Sequence, residues 1–316
     1  MSNSLEIIKN GKDWSLPELP EKIPHGDMPG DKVEIGQDHI KKSEIVFREL
    51  LKMLPAVLES NKSSRAVITV CGGSGVGKSE IASLLSYYLN QLGIGSYTLS
   101  GDNYPRRIPK YNDAERLRLF RQSGVKTLVK ADQMNQDIFA ILKELQEKED
   151  DANKKHLEVY PWFKTYLDGA LCGLKGYLGT TNEINFEELT DIVSQFKAGA
   201  NAIWLKRMGR TECELWYDKV DFSAINVLVI EWTHGNSDNY EGVDIPILLN
   251  STPEETLAHR NSRNRDGKTD SPFTMRVLEL EQQMLHSQAP KAKIIISKQG
   301  EKLTYEEYQA LMSEHN

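Results

Sequence analysis

Ala66-Val67-Ile68-Thr69-Val70-Cys71-Gly72-Gly73-Ser74-Gly75-Val76-Gly77-Lys78-Ser79 is the stretch that decides the reading of this chain. Its first six residues are short, apolar and rich in β-branched side chains, as a strand covered on both faces should be. The next eight match G-x-x-x-x-G-K-[ST] in full. Each part of that pattern has a chemical use. The glycines let the backbone turn so that successive N–H groups point at phosphate oxygens. A following helix adds the positive end of its dipole to the same spot. Lys78 brings a mobile positive charge to β- and γ-phosphates, and Ser79 offers a hydroxyl to Mg²⁺. Gly72, Gly73, Ser74, Gly75, Val76, Gly77, Lys78 and Ser79 are therefore the expected nucleotide-binding residues, with ATP and Mg²⁺ as cofactors. No legible motif separates ATP from GTP.

Working outward, a helix is expected from about Lys78 to Leu92. Further strands are expected at SYTLSG from Ser96, NVLVIEW from Asn226, IPILLN from Ile245 and AKIIIS from Ala292. Helical stretches lie near 253–265, 273–288 and 304–314. Strands alternating with helices predict an α/β fold with a five-stranded parallel sheet flanked by helices, the P-loop NTPase arrangement. Residues 37–104 and 221–316 form that core, opened by an amphipathic helix from Gln37 to about Glu59. Residues 1–36, rich in Pro, Gly and charge, read as an extended arm. Residues 105–220 break the alternation. Long charged helices from Ala114 to about Lys155, an aromatic Gly-rich stretch at 156–182 and a helix at 183–200 predict a mainly helical insert contributing to an acceptor site.

Composition narrows the class. The chain has 316 residues, 39% of them hydrophobic, with a net charge of -7. That acidic balance argues against a nucleic-acid partner. No run approaches the roughly 18 apolar residues of a bilayer span, and MSNSLEIIKN is no secretory signal. Cys71, Cys172 and Cys213 are far apart and odd in number, which predicts reduced thiols in a cytoplasmic protein and no structural zinc. A homodimer is compatible with the sequence, which carries no signal that fixes oligomeric state.

Two acids sit where such a sheet collects ligands, at the carboxyl ends of strands. Asp102, in Ser100-Gly101-Asp102-Asn103-Tyr104, could accept an acceptor proton or hold Mg²⁺ through water. It could also serve only as a turn residue. Glu231 closes a very apolar strand and could orient Mg²⁺ or the attacking hydroxyl. His234 follows it and could contact the acceptor. The basic run His259-Arg260-Asn261-Ser262-Arg263-Asn264-Arg265 exceeds what a helix C-terminus needs, and reads as a lid that neutralises transition-state charge. Arg106, Arg107 and Lys110 after Tyr104, and Lys206 and Arg207, could read an anionic acceptor.

Taken in order, these motifs resemble the uridine kinase, phosphoribulokinase and pantothenate kinase group of P-loop kinases. The carriers are GGSGVGKS, then GDNYPRR with its Asp-x-Tyr, then NEINFEEL with FKAG after it, then VLVIEWTHG, and last HRNSRNRD. The resemblance implies Asp102 as catalytic base, Glu231 as the Mg²⁺ and acceptor partner, and Arg260, Arg263 and Arg265 as lid residues. It adds Tyr104 to the substrate-binding set with Arg106, Arg107, Arg207 and His234, and Ser79, Asp102 and Glu231 as the metal set. Trp232 stands where that group has Gly, and its Tyr-Asp acceptor signature is not recognisable at Leu205-Lys206-Arg207. TLSGDN is also similar to the Asp-Gly-Asp-Asn segment of adenylylsulfate kinases, with Ser100 in place of the first acid. The expectation is a kinase acting on a hydroxyl of a small metabolite such as a nucleoside or sugar phosphate. The alternatives are adenylylsulfate kinase-like transfer, and an ATPase switch with a protein partner on the insert.

Overall fold

The structure, a computed structural model, describes residues 14–257, 260 and 271–313. All five expected strands form and run parallel. They are β1 (Ala66–Gly72), β2 (Ser96–Ser100), β5 (Val227–Trp232), β6 (Ile245–Leu249) and β7 (Ile294–Ile296). Their order is β2-β5-β1-β6-β7, extended by a two-residue antiparallel edge, β8 (Lys302–Leu303). β1 is central, buried along its whole length, with β5 on one side and β6 on the other. This burial on both faces is why its sequence lacks the apolar–polar alternation of a half-exposed strand.

Two cores sandwich the sheet. On one face Ile68, Val70, Val229 and Ile247 pack under α1 (Gln37–Ser60) and α2 (Lys78–Gln91). On the other, Val67, Leu228 and Ile230 meet α6 (Phe186–Lys197). α7 (Pro272–Gln288) and α8 (Tyr305–Ser313) close the β7 end through Leu285, Tyr308 and Met312. Among the described residues, no helix is long and apolar enough to cross a membrane.

The first part of residues 105–220 builds a third core, whereas Ile184, Phe186, Leu189, Ile203 and Leu205 of the same segment belong to the second core against the sheet. α3 (Pro109–Lys130), α4 (Gln136–Glu147) and α5 (Phe163–Lys175) gather Phe120, Leu142, Phe163, Tyr166 and Leu174, joined by Val277 and Leu280 of α7. The segment also holds a hairpin that the sequence reading did not include: β3 (Ala202–Met208) paired antiparallel with β4 (Leu215–Asp221). The reason is local. β4 is exposed or half-exposed at every position, so it shows no alternation, and β3 buries the charged Lys206 and Arg207.

Candidate active site

The β1–α2 turn is shaped by backbone that only glycine tolerates. Gly77 takes φ 99° immediately before α2, and a methyl there would come within 2.9 Å of the His39 ring. At Gly72 a methyl would come within 2.7 Å of the Leu249 carbonyl oxygen. Lys78 folds back over the loop, its Nζ donating to the Gly73 carbonyl at 2.9 Å. Ser79, one residue into the helix, donates from Oγ to Glu231 Oε2 at 3.1 Å.

Glu231 is the hub. Pairing of β5 with β1 and β2 sets it opposite Val70 and Ser100. It is buried, and Ser100 donates to its Oε1 at 2.5 Å. Burial, together with the neighbouring Asp102 charge, pushes its pKa up to about 8. Asp102 stands exposed in the 3-10 turn Gly101–Asn103 that follows β2. Three segments far apart in sequence thus bring a lysine, a hydroxyl and two carboxylates together. Serine and carboxylate oxygens are the hard donors that suit Mg²⁺, which takes few protein ligands and completes its shell with phosphate and water. Consistent with that incomplete set, no group of three or more His, Cys, Asp or Glu forms a metal site among the described residues. Ser79 and Glu231, with Asp102 near, could hold Mg²⁺ against a nucleotide's phosphates.

The remaining expected residues divide. His234 is buried, with its ring 5.1 Å from that of Trp232. Burial holds its pKa down to about 4, with the Arg116 and Lys78 charges acting the same way, so it is a neutral imidazole beside the site. Tyr104 is fully buried, and its hydroxyl makes no hydrogen bond among the described residues. Arg106 and Arg107 are braced on the insert, through the Thr181 carbonyl at 2.7 Å and the Tyr177 hydroxyl at 2.9 Å. Arg207 corrects the expectation of a free anion reader. Its guanidinium is committed to Asp27 at 2.9 Å and Asp218 at 3.2 Å, because a buried charge must be paired. Lys206 is likewise buried and donates to the Pro105 carbonyl at 2.9 Å. Arg260 is buried beside a narrow cleft that includes Gly73, Ser74 and Thr252, its Nη1 donating to the Pro253 carbonyl at 2.7 Å. Arg263 and Arg265 lie outside the described residues, as does most of the helix expected at 253–265. The start of that helix is framed by a reciprocal pair, Thr252 N–H to Glu255 and Glu255 N–H to Thr252 Oγ1.

The sequence reading missed a second charged cluster facing the same space. Arg116 of α3 donates to Glu183 at 2.6 Å, and Glu183 also accepts from Asn112 Nδ2 and the Gly179 N–H. Glu281 of α7 is raised in pKa by burial despite the nearby Arg116 and Lys78 charges. Nothing local marks Arg116 or Glu281, each one charge among many on a charged helix, and Glu183 lies in the NEINFEEL stretch with no role read for it.

No protein-family model matches the chain. Over 242 residues, 77% of its length, it is 38% identical to the bifunctional alpha-galactosidase/sucrose kinase AgaSK of Mediterraneibacter gnavus, of which the match covers 21%. The chain therefore spans about a fifth of the curated relative it matches. Two solved structures are also similar. A protein of Silicibacter sp. TM1040, provisionally assigned as a fructose transport system kinase, is 13% identical with a TM-score of 0.47, covering 78% of this chain and 94% of that one. A protein from Bacillus stearothermophilus described as a possible uridine kinase is 15% identical with a TM-score of 0.36, covering 78% and 98%.

Proposed function

We propose that the chain is an ATP-dependent, Mg²⁺-requiring kinase that phosphorylates a hydroxyl of a small sugar-type metabolite. The observation that carries this reading is the convergence of Lys78, Ser79, Glu231 and Asp102 at the carboxyl ends of β1, β2 and β5. That is the set phosphoryl transfer needs: a cation on the transferring phosphate, a metal-holding hydroxyl and acid, and an exposed carboxylate for the acceptor proton. The sequence match to a protein that carries sucrose kinase in its name supports a carbohydrate hydroxyl as the acceptor.

In this scheme the loop N–H groups and Lys78 bind the phosphates. Bound Mg²⁺ would neutralise charge on the β- and γ-phosphates. Asp102 orients the acceptor hydroxyl and takes its proton as that oxygen bonds the γ-phosphorus and the bond from the γ-phosphorus to the bridging oxygen breaks, ADP leaving with the electron pair. His234, kept neutral, can donate to or accept from a hydroxyl without adding charge. The Tyr104 hydroxyl, buried and without a hydrogen-bond partner among the described residues, suits the same acceptor. Most of the rate then comes from positioning and from fixed charge.

The test incubates the protein with Mg²⁺, ATP and pooled acceptors (mono- and disaccharides, sugar phosphates, nucleosides, pantothenate, adenylylsulfate) beside a Lys78→Ala control. Mass spectrometry should find a saccharide heavier by one phosphoryl group in the wild type alone. ATP consumption with no modified acceptor would sink the kinase reading in favour of an ATPase. A phosphorylated nucleoside or adenylylsulfate would keep the kinase and discard the sugar.

A further inference from the structure

The arm before α1 has no regular secondary structure from residue 14 to residue 36, yet it is anchored at both ends. Trp14 is buried against Phe47 and Tyr88, with Arg48 stacked over its ring at 5.3 Å. Farther along, Gly26-Asp27 passes against the end of β2 and beside Glu231. A methyl at Gly26 would come within 3.3 Å of the Thr98 methyl and 4.0 Å of Glu231 Cγ. Four residues on, the Asp31 charge adds to those that raise the Glu231 pKa.

The Asp27 side chain is only 8% exposed and its carboxylate is fully used. Its Oδ1 accepts from the Ser100 N–H at 2.7 Å and from Asn103 Nδ2 at 3.1 Å. Its Oδ2 accepts from the Tyr97 hydroxyl at 2.9 Å and from Arg207 Nη1 at 2.9 Å. Asn103 in turn accepts the Met208 N–H at 3.0 Å. One carboxylate from an irregular arm therefore clamps three things: the end of β2, the turn that carries Asp102, and β3 of the hairpin. Burial raises its pKa despite the Arg207 charge, so the site holds an anion only because cation and donors surround it.

We infer that Asp27 is a positioning residue for the acceptor side of the site, and that arm residues 26–31 form one of its walls rather than a tail. This rests on the kinase reading above for the identity of the acceptor. Asp27 touches neither the phosphate loop nor Lys78, so its effect should fall on acceptor and turnover, not on nucleotide binding. A buried carboxylate with four donors sets geometry sharply, and misplacing a base by about 1 Å can cost on the order of 10²-fold in rate.

The experiment uses the full chain, Asp27→Asn and Gly26→Ala. The asparagine keeps size and removes the charge; the alanine keeps the clamp and presses on the Thr98 methyl, meeting Glu231 only at ordinary contact distance. Hydrogen exchange read by mass spectrometry should show faster exchange over residues 97–104 and 206–208 in Asp27→Asn, with α2 unchanged. With the acceptor found above, KM for that acceptor should rise about tenfold or more, about the effect of one lost charged hydrogen bond, while the Kd of a fluorescent ATP analogue stays within about twofold. Unchanged exchange in 97–104 overturns the clamp. Faster exchange with an unaltered acceptor KM and kcat in both variants overturns the acceptor role. A wild-type chain that modifies no acceptor sinks the kinase reading and the acceptor role with it, and the exchange experiment still decides the clamp.

Discussion

The two halves of the candidate site are built in opposite ways. The donor half is local: eight consecutive residues from the end of β1 into the first turn of α2 supply the phosphate loop, the lysine and the hydroxyl. The acceptor half we propose would draw on the arm, the β2 turn, α3, the 177–183 segment, β3 and the β5 exit. Its contacts span up to 180 residues of sequence, as between Asp27 and Arg207. A nucleotide's triphosphate is the same in every enzyme that binds it, so its cradle can be one short pattern. An acceptor differs from enzyme to enzyme, and its walls are whatever distant segments the insert brings near.

That contrast can be broken most directly from the donor side. Lys78→Ala should lower transfer by on the order of 10³-fold or more, since it removes a cation from the transferring phosphate. The melting temperature should stay near wild type, because the Lys78 ammonium donates to its own loop. Retention of more than a tenth of wild-type turnover would mean the loop is not the donor site. Asp102→Asn comes next. Loss of a general base should cost about 10²–10⁴-fold in kcat, with the Kd of a fluorescent ATP analogue unchanged. Near-normal kcat would return Asp102 to the role of a turn residue.

The same asymmetry governs what was legible in the sequence. β1 and β5 announced themselves because both are buried along their whole length and read as largely apolar, β-branched runs. Asp102 and Glu231 stand out in the sequence because strand ends in such a sheet point at ligands, and the fold sets them close enough for the Asp102 charge to act on Glu231. Arg116, Glu281 and Asp27 do not stand out, since their meaning comes from partners that no local pattern names. Arg207 was read as available when it is committed. A basic residue in a sequence says nothing about the carboxylate that folding puts beside it, and here Asp27 comes from a segment 180 residues away. The hairpin was missed because its outer strand is solvated on every side, a case in which alternation vanishes.

A smaller effect tests how independent the insert is. α3 and α5 cross closely, with Gly124, Gly169 and Gly173 at the contact. A methyl at Gly169 would come within 2.1 Å of Thr127 Oγ1, and one at Gly173 within 2.0 Å of Ser123 Oγ. Gly169→Ala should therefore destabilise by about 1–3 kcal/mol, the usual cost of overpacking. Urea unfolding should show the loss while ATP affinity holds. An equal loss of ATP affinity in a fully folded sample would mean that the insert shapes the donor half as well.

The last effect lies in pH and separates Glu231 from its buried neighbour His234. Glu231 has an ordinary value of 4.5 and is raised to about 8 in the fold, first by burial and then by Asp102. Between those values the folded chain keeps a proton that the unfolded chain has released. Stability contributed at this site is therefore present below about pH 4.5 and falls as pH rises toward about 8. Each tenfold difference in proton affinity between the folded and unfolded chain is worth about 1.36 kcal/mol, so the fall amounts to a few kcal/mol at most. His234 runs the other way, losing stability as pH drops from 6.5 through about 4, and so acts mainly at the acid end. The comparison that isolates Glu231 is wild type against Glu231→Gln, melted from pH 6 to 9. The gap between them should widen in favour of Gln as pH rises. Mg²⁺ with ATP should narrow it, because a bound cation stabilises the ionised carboxylate and lets the wild type shed its proton at lower cost. A gap that ignores both pH and Mg²⁺ would mean that Glu231 is ionised throughout and is not the metal-facing acid of the donor half.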